Sequence, residues 1–300
     1  MSKNRKLKSW RKETWKKAIQ MELREHRSSF IVFYILRLLV IASLIRQFFL
    51  GNYWGVFLCV MTIALLYLPS WVQVRLRIEL PPALEITILC FIFAAEILGE
   101  INAFYIVIPM WDTVLHTLNG FLCAAIGFAL VVLLNDDERL TFDLSPFFIA
   151  LLAFCFSMTI GVLWEFFEFG MDLLFHTDMQ KDTVIHAFYS TALDPSNSNK
   201  VIAVPNIRDV VINGESLGAG GYLDIGIIDT MKDLFVNFIG AVTFSVFGFF
   251  FARSKGTTQT RTQNLVPRKK SADRDFLRHA QESTPLEKQS PSAKEGNTPT

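Results

Sequence analysis

Apolar residues gather along this chain into runs long enough to dissolve in lipid, separated by short polar stretches. Six runs stand out, at residues 30–50, 56–72, 83–101, 113–134, 145–169 or a little beyond, and 228–252. Most are close to the roughly 20 residues a helix needs to cross about 30 Å of hydrocarbon, and the second is the shortest. The pattern predicts an all-α, polytopic integral membrane protein of six transmembrane helices. Residues 28–252 form its membrane domain, behind a basic leader at 1–27 and ahead of a polar tail at 253–300 that is expected to be mostly disordered.

Within the runs, polar residues fall at helical spacing. In "GVLWEFFEFGMDLLF", Glu165, Glu168 and Asp172 lie at i, i+3 and i+7, with Gly161 on the same stripe one turn earlier. Each acid near a bilayer centre costs about 2.5 to 3.5 kcal/mol, so that face needs partners. "WDTVLHTLNG" offers Asp112, His116, Asn119 and Gly120 on one stripe. "DTMKDLFVNFIGA" offers Asp229, Asp233, Asn237 and Gly240 on another. Glu96 and Glu100 stand near one end of the third run, with Arg46 of the first run at similar depth.

Charge orients the chain. Half of the residues, 51%, are apolar, and the formal net charge is only +1, but residues 1–27 hold ten Lys/Arg against three Asp/Glu and residues 253–300 hold ten against five. The positive-inside rule places both tails in the cytoplasm, which agrees with an even number of spans. Arg75 and Arg77 then fall inside, as does the loop "LNDDERLTFD", whose single cation is Arg139. The long loop before the last helix, 176–227, falls outside. There "KVIAVPNIRDVVINGES" alternates β-branched residues with turn formers and ends in an Asn-Gly pair, which predicts a short hairpin. The first run follows basic residues, yet it ends in "RQFFLGN" without a small-residue cleavage pattern and reads as an uncleaved anchor. The leader "LKSWRKETWKKAIQMEL" sets Leu7, Trp10, Ala18 and Met21 near one face, as a helix resting on an anionic lipid surface would. A solvated leader is the alternative.

With this topology, acids on three helices meet in the outer half of the bilayer. Asp112, Glu165, Glu168, Asp172, Asp229 and Asp233 cannot all stay ionised beside one imidazole, so several are protonated or a cation is bound. A carboxylate-rich set with one histidine suits Mg, Mn, Ca or Fe, and the expected metal ligands are Asp112, His116, Glu168, Asp172, Asp229 and Asp233. Glu165 or His116 is the candidate catalytic acid or base. Hydrogen-bond glue between helices is the bland alternative for the acids, and for Asn237 it is the expected role. All four cysteines, Cys59, Cys90, Cys123 and Cys155, fall in the runs and imply no disulfide framework. His176 and His186 are expected to be solvated. The glycine-dense "GESLGAGGYLDIG" lacks phosphate-loop spacing. The bilayer is the expected partner, nucleic acid is not, and the oligomeric state is not legible.

The pieces "WDTVLHTLNGFLCAAIGF", "GVLWEFFEFGMD" and "GYLDIGIIDTMKDLFVNFIGA" resemble the uncharacterised YjdF-like bacterial inner-membrane family, and more loosely the VanZ-like membrane proteins associated with glycopeptide resistance. The resemblance implies a multi-pass bacterial inner (plasma) membrane protein and no established reaction. Three functions remain open: a metal-dependent envelope enzyme acting on a lipid-linked or cell-wall substrate, an ion- or proton-coupled transporter using the same acids, and a non-catalytic membrane scaffold.

Overall fold

The computed structural model describes residues 3–135, 144–254 and 268–284. The loop carrying Arg139 and much of the polar tail lie outside the described residues. The chain is mostly helical and divides into two compact units, Met1–Ala103 with Gln259–Thr300, and Phe104–Thr258.

In the first unit, α1 (Lys3–Leu23) leads into α2 (Arg27–Phe49), followed by α3 (Tyr53–Leu65), α4 (Leu68–Leu76), β1 (Ile78–Glu79) and α5 (Pro82–Phe93). Asn52 caps α3 by accepting from the Gly55 backbone N–H at 3.1 Å. Pro69 in the first turn of α4 has no N–H to give the Leu65 carbonyl, so the second apolar run breaks into two helices there. Phe33, Val40, Cys59, Leu66 and Leu89 form the core between α2, α3 and α5. Arg37, deep in the first run with no acid at its level, donates to the Tyr67 hydroxyl at 2.6 Å and lies over that ring. Arg46 donates to Asn102 at 3.4 Å.

Five helical stretches among the described residues, with α3 and α4 taken together, are long and apolar enough to cross a membrane: Arg27–Phe49, Tyr53–Leu76, Trp111–Val132, Pro146–Phe175 and Ile227–Arg253. The third expected span is not a sixth such helix. It is the 12-residue α5 continued by a π-helical stretch, Ala94–Ile101, whose wider turn carries Glu96, Gly99 and Glu100.

Part of the polar tail, residues 268–284, is structured. β8 (Arg268–Lys269) pairs antiparallel with β1, a 3₁₀ turn follows at Ala272–Arg274, and α10 (Phe276–Glu282) packs on α1. Ala18, Val74 and Ala280 are the buried contact, edged by Trp15, Ile19, Phe276 and Leu277. Lys270 reaches the buried Glu22, and Arg274 bonds Glu79 at 2.5 Å. Burial pushes the Glu22 carboxyl up to about 7 even with Lys270 beside it. The tail thus covers the apolar side of α1 and leaves Lys8, Arg11, Lys12, Lys16 and Lys17 exposed.

The second unit is built on α7 (Trp111–Asn135), α8 (Pro146–Phe175) and α9 (Ile227–Arg253), after a short α6 (Phe104–Val107). Glycines let these helices touch backbone to backbone. A Cβ on Gly240 would stand 2.0 Å from the Thr117 carbonyl oxygen, and one on Gly120 would stand 2.1 Å from that of Asn237. Gly161 makes room in α8 for the Asn237 amide, at 2.5 Å from its would-be Cβ. Between α8 and α9 run six short strands. β2 (Val184–Ile185) pairs with β7 (Tyr222–Leu223), β3 (Phe188–Ser190) with β4 (Ile202–Val204), and β5 (Val211–Ile212) with β6 (Glu215–Ser216). Asn213 and Gly214 turn the last hairpin with φ of 55° and 92°.

Candidate functional site

The second unit brings charged side chains from all three long helices onto one imidazole. On α7, Asp112 sits one turn before His116, and its Oδ1 lies 3.4 Å from His116 Nε2. From α9, Asp233 Oδ2 approaches the same nitrogen at 3.8 Å. From α8, Glu165 Oε1 faces His116 Nδ1 at 3.9 Å. The spacing within each helix put these residues on inward stripes, and the glycine contacts set the depth at which the stripes meet.

The cluster is closed in and under-bonded. Glu165 and Asp233 are 4% and 2% exposed, and Glu165 Oε2 and Asp233 Oδ1 are buried with no hydrogen-bond partner among the described residues. One imidazolium can neutralise only one of three neighbouring carboxylates, and an unpaired buried oxygen costs about 1 to 3 kcal/mol, more when charged. Asp112, His116 and Asp233 each offer a ligand atom within 4.8 Å of the others. Oxygen–cation distances of about 2.1 to 2.6 Å put two ligands of one ion no more than about 5 Å apart, so a hard divalent cation fits this trio.

The other expected ligands are otherwise engaged. Glu168 Oε1 accepts from the Trp164 indole N–H at 2.8 Å. Asp172 turns out of the cluster to the chain that follows α8: Oδ1 accepts from Thr177 Oγ1 and Met179 N at 2.7 Å, and Oδ2 from Gln180 N at 2.8 Å. Asp229 Oδ2 accepts from Lys181 N at 3.0 Å, and Lys232 Nζ stands 3.9 Å from its Oδ1. His176 is an exposed residue at the end of α8, with φ of 55°, and the exposed His186 contacts the Ile207 carbonyl at 3.0 Å.

Below the acids the polar line ends in amides. Asn119 Nδ2 donates to Asn237 Oδ1 at 3.3 Å, and Ser157 Oγ donates to the Gly120 carbonyl at 2.7 Å. Deeper still, Phe244 packs edge-on against Phe121 and Phe128. Ser157 carries a signal that the acid pattern overshadowed: it stands four residues before Gly161 and eight before Glu165, on the same stripe. Trp164 also went unread, although its i, i+4 spacing to Glu168 sets the two side chains next to each other on α8.

The family described as "Predicted membrane protein (DUF2238)" matches residues 29–254. Neither a curated protein nor a solved structure matches the chain. The match covers the chain from the first turn of α2 to the end of α9 and every residue of the cluster, and the chain belongs to that family of predicted membrane proteins.

Proposed function

We propose that this member of the DUF2238 family is a metal-dependent enzyme of the bacterial plasma membrane, acting on a lipid-linked or cell-wall substrate. The observation that carries the reading is the pair of buried, partnerless carboxylate oxygens, on Glu165 and Asp233, around one imidazole. Asp112, His116 and Asp233 hold a divalent cation, of the Mg, Mn, Ca or Fe kind that such a donor set suits. A cation there supplies Lewis-acid chemistry. Glu165 stands beside the trio with a free oxygen and moves the proton. Glu168, Asp172 and Asp229 serve around the site instead of as ligands.

The reading includes six spans, with α5 and its π-helical continuation as the third, both tails in the cytoplasm and residues 176–227 outside. The exposed lysines and arginine of α1 then face anionic headgroups by charge, since its apolar side is covered. The YjdF-like kinship read from "WDTVLHTLNG" and "GVLWEFFEFGMD" belongs to this proposal, and the VanZ-like one is its looser form. Ion- or proton-coupled transport through the same acids needs a polar path to the far side. The line from Asp112 to Asn119 and Asn237 gives way to Phe121, Phe128 and Phe244, which favours the enzyme.

Elemental analysis of protein purified without chelator tests the reading. Wild type should carry Mg, Mn, Ca or Fe in stoichiometric amount, and Asp112→Asn and Asp233→Asn should lose it. Wild type that binds none of these, even after incubation with each, overturns the proposal.

A further inference from the structure

The chain leaving α8 is tied down across the ends of α8 and α9, two of the three helices that carry the acids. Thr177, Met179 and Gln180 are held by Asp172, one turn beyond Glu168 on α8. Gln180 Nε2 donates to Thr230 Oγ1 on α9 at 2.6 Å, and Lys181 N to Asp229 at 3.0 Å, one turn beyond Asp233. Thr183 N donates to Asp224 Oδ1 at 2.7 Å, while Asp224 Oδ2 accepts from Ile228 N, in the first turn of α9, at 2.8 Å. Gly226, with φ of 77°, lets Gln180 lie flush, since a Cβ there would meet Gln180 Cβ at 2.6 Å. Three carboxylates from both helices and the intervening loop fasten one short strap, 177–183, about 6 Å above the acid layer at 1.5 Å per residue.

The opposite end of the site is closely packed. At the level of Asn237 the backbones of α7 and α9 are in contact through Gly120 and Gly240, and Gly161 of α8 is filled by the Asn237 amide. The flank differs. Trp164 is 41% exposed on a helix built to face lipid, lies tilted against the exposed Phe167 at 5.3 Å between ring centroids, and bonds the buried Glu168 through its indole N–H. It joins the lipid-facing surface to the acid cluster by one rotatable side chain.

We propose, resting on the reading of the site given above, that its substrate is an amphipathic lipid that enters from the bilayer past Trp164, with the 177–183 strap sealing the aqueous end. The indole leaves Glu168 as the polar head passes, and the acyl or prenyl portion stays in the lipid. A water-soluble cell-wall fragment would have to enter past the strap instead.

Cysteine labelling in lipid nanodiscs tests this, in a background with Cys59, Cys90, Cys123 and Cys155 replaced. Thr113→Cys, on the His116 side of α7, is the first reporter, and Val162→Cys, one turn below Glu165, is the second should the first fail to fold. Rates are normalised to the denatured protein. A membrane-partitioning maleimide should label the reporter readily. A charged methanethiosulfonate reagent sees the site only in a strap-open minority, and should be slowed at least about tenfold if that state holds under about 10% of molecules. Gln180→Ala with Asp224→Asn should restore the charged reagent's rate, and Trp164→Ala should speed the apolar one. Equal normalised rates for both reagents with the strap intact, or indifference of the apolar rate to Trp164→Ala, overturn the route. Metal content measured on the same preparations separates the two readings: labelling as expected in a protein that binds no cation refutes the metal site and leaves the entry route in place.

Discussion

Asp233→Asn should abolish stabilisation by a divalent cation while barely changing the protein without one. In the cation-free state the substitution removes the repulsion between Asp233 and Asp112, and also the attraction between Asp233 Oδ2 and His116 Nε2 at 3.8 Å. At an effective dielectric near 20 each is worth about 3.5 to 4.5 kcal/mol, so with a protonated imidazole they nearly cancel. With cation at 100 times its Kd, wild type gains about 2.7 kcal/mol of stability. For a body of 150 to 250 residues that is a rise of about 5 to 11 °C in Tm. Losing one charged ligand of three should cost at least about 100-fold in affinity, the upper end of what loss of an outer-shell partner costs. The same cation concentration then only equals the variant's Kd, which leaves about 0.4 kcal/mol and a shift of about 2 °C or less. The assay is thermal unfolding in detergent with chelator, then with Mn²⁺, Mg²⁺, Ca²⁺ or Fe²⁺. Wild-type melting indifferent to all four, or a variant that keeps the full shift, refutes the ligand set.

Gly240→Ala should destabilise the second unit by about 1 to 3 kcal/mol or more, because the new methyl meets the Thr117 carbonyl at 2.0 Å and a backbone cannot step aside. Gly170→Ala, which meets nothing within 4 Å in mid-helix, should be neutral or stabilising, and melting of the pair in detergent gives the contrast. Asp194 accepts from Ser196, Ser198 and Lys200, and these bonds hold its carboxyl well below the usual range. A depressed native pKa adds stability that is fully present above the unfolded value near 4 and is lost as pH falls through the native one, so the loop should resist limited proteolysis at neutral pH and lose protection only in strong acid. Asp194→Asn should be cut faster at 191–200 at neutral pH, and the difference should vanish in strong acid. Cysteines introduced by Ser198→Cys and Ser271→Cys should label on intact cells and only after permeabilisation respectively, and labelling of the second by an impermeant reagent on intact cells would invert the proposed orientation.

Helical periodicity made the acid stripes legible, because 3.6 residues per turn decides which side chains share a face whatever the helix packs against. It is silent on register between helices, which here depends on Gly120, Gly161 and Gly240 as sites of close approach. At that register Asp112, Glu165 and Asp233 converge on His116, while Asp172 and Asp229 bond the chain at 177–181. Asp172 did carry a warning. A carboxylate in the last turn of a helix faces the negative end of the dipole, so it must have donors elsewhere, and residues 177–180 provide them. The third run hid its π-helical turn because apolar runs read alike in either helix, and the structured piece of the tail is invisible locally because its burial comes from α1 and α4, more than 200 residues away at Ala18 and Val74.

The pairing of β2 with β7 brings Val184 beside Leu223 and Ile185 beside Tyr222, so the 36 residues from His186 to Gly221 begin and end one strand spacing apart, about 4.8 Å. Seen from the helices, that whole stretch leaves and rejoins the chain at one paired strand. Its length does not enter the geometry of α8, α9 or the strap, so the chain there is free to shrink to a tight turn, to lengthen, or to host a folded insert while the acid cluster stays in place. Members of the family are therefore expected to differ most in this segment, and a fluorescent or affinity domain grafted between Asn213 and Gly214 offers a handle on the protein that leaves its membrane core undisturbed.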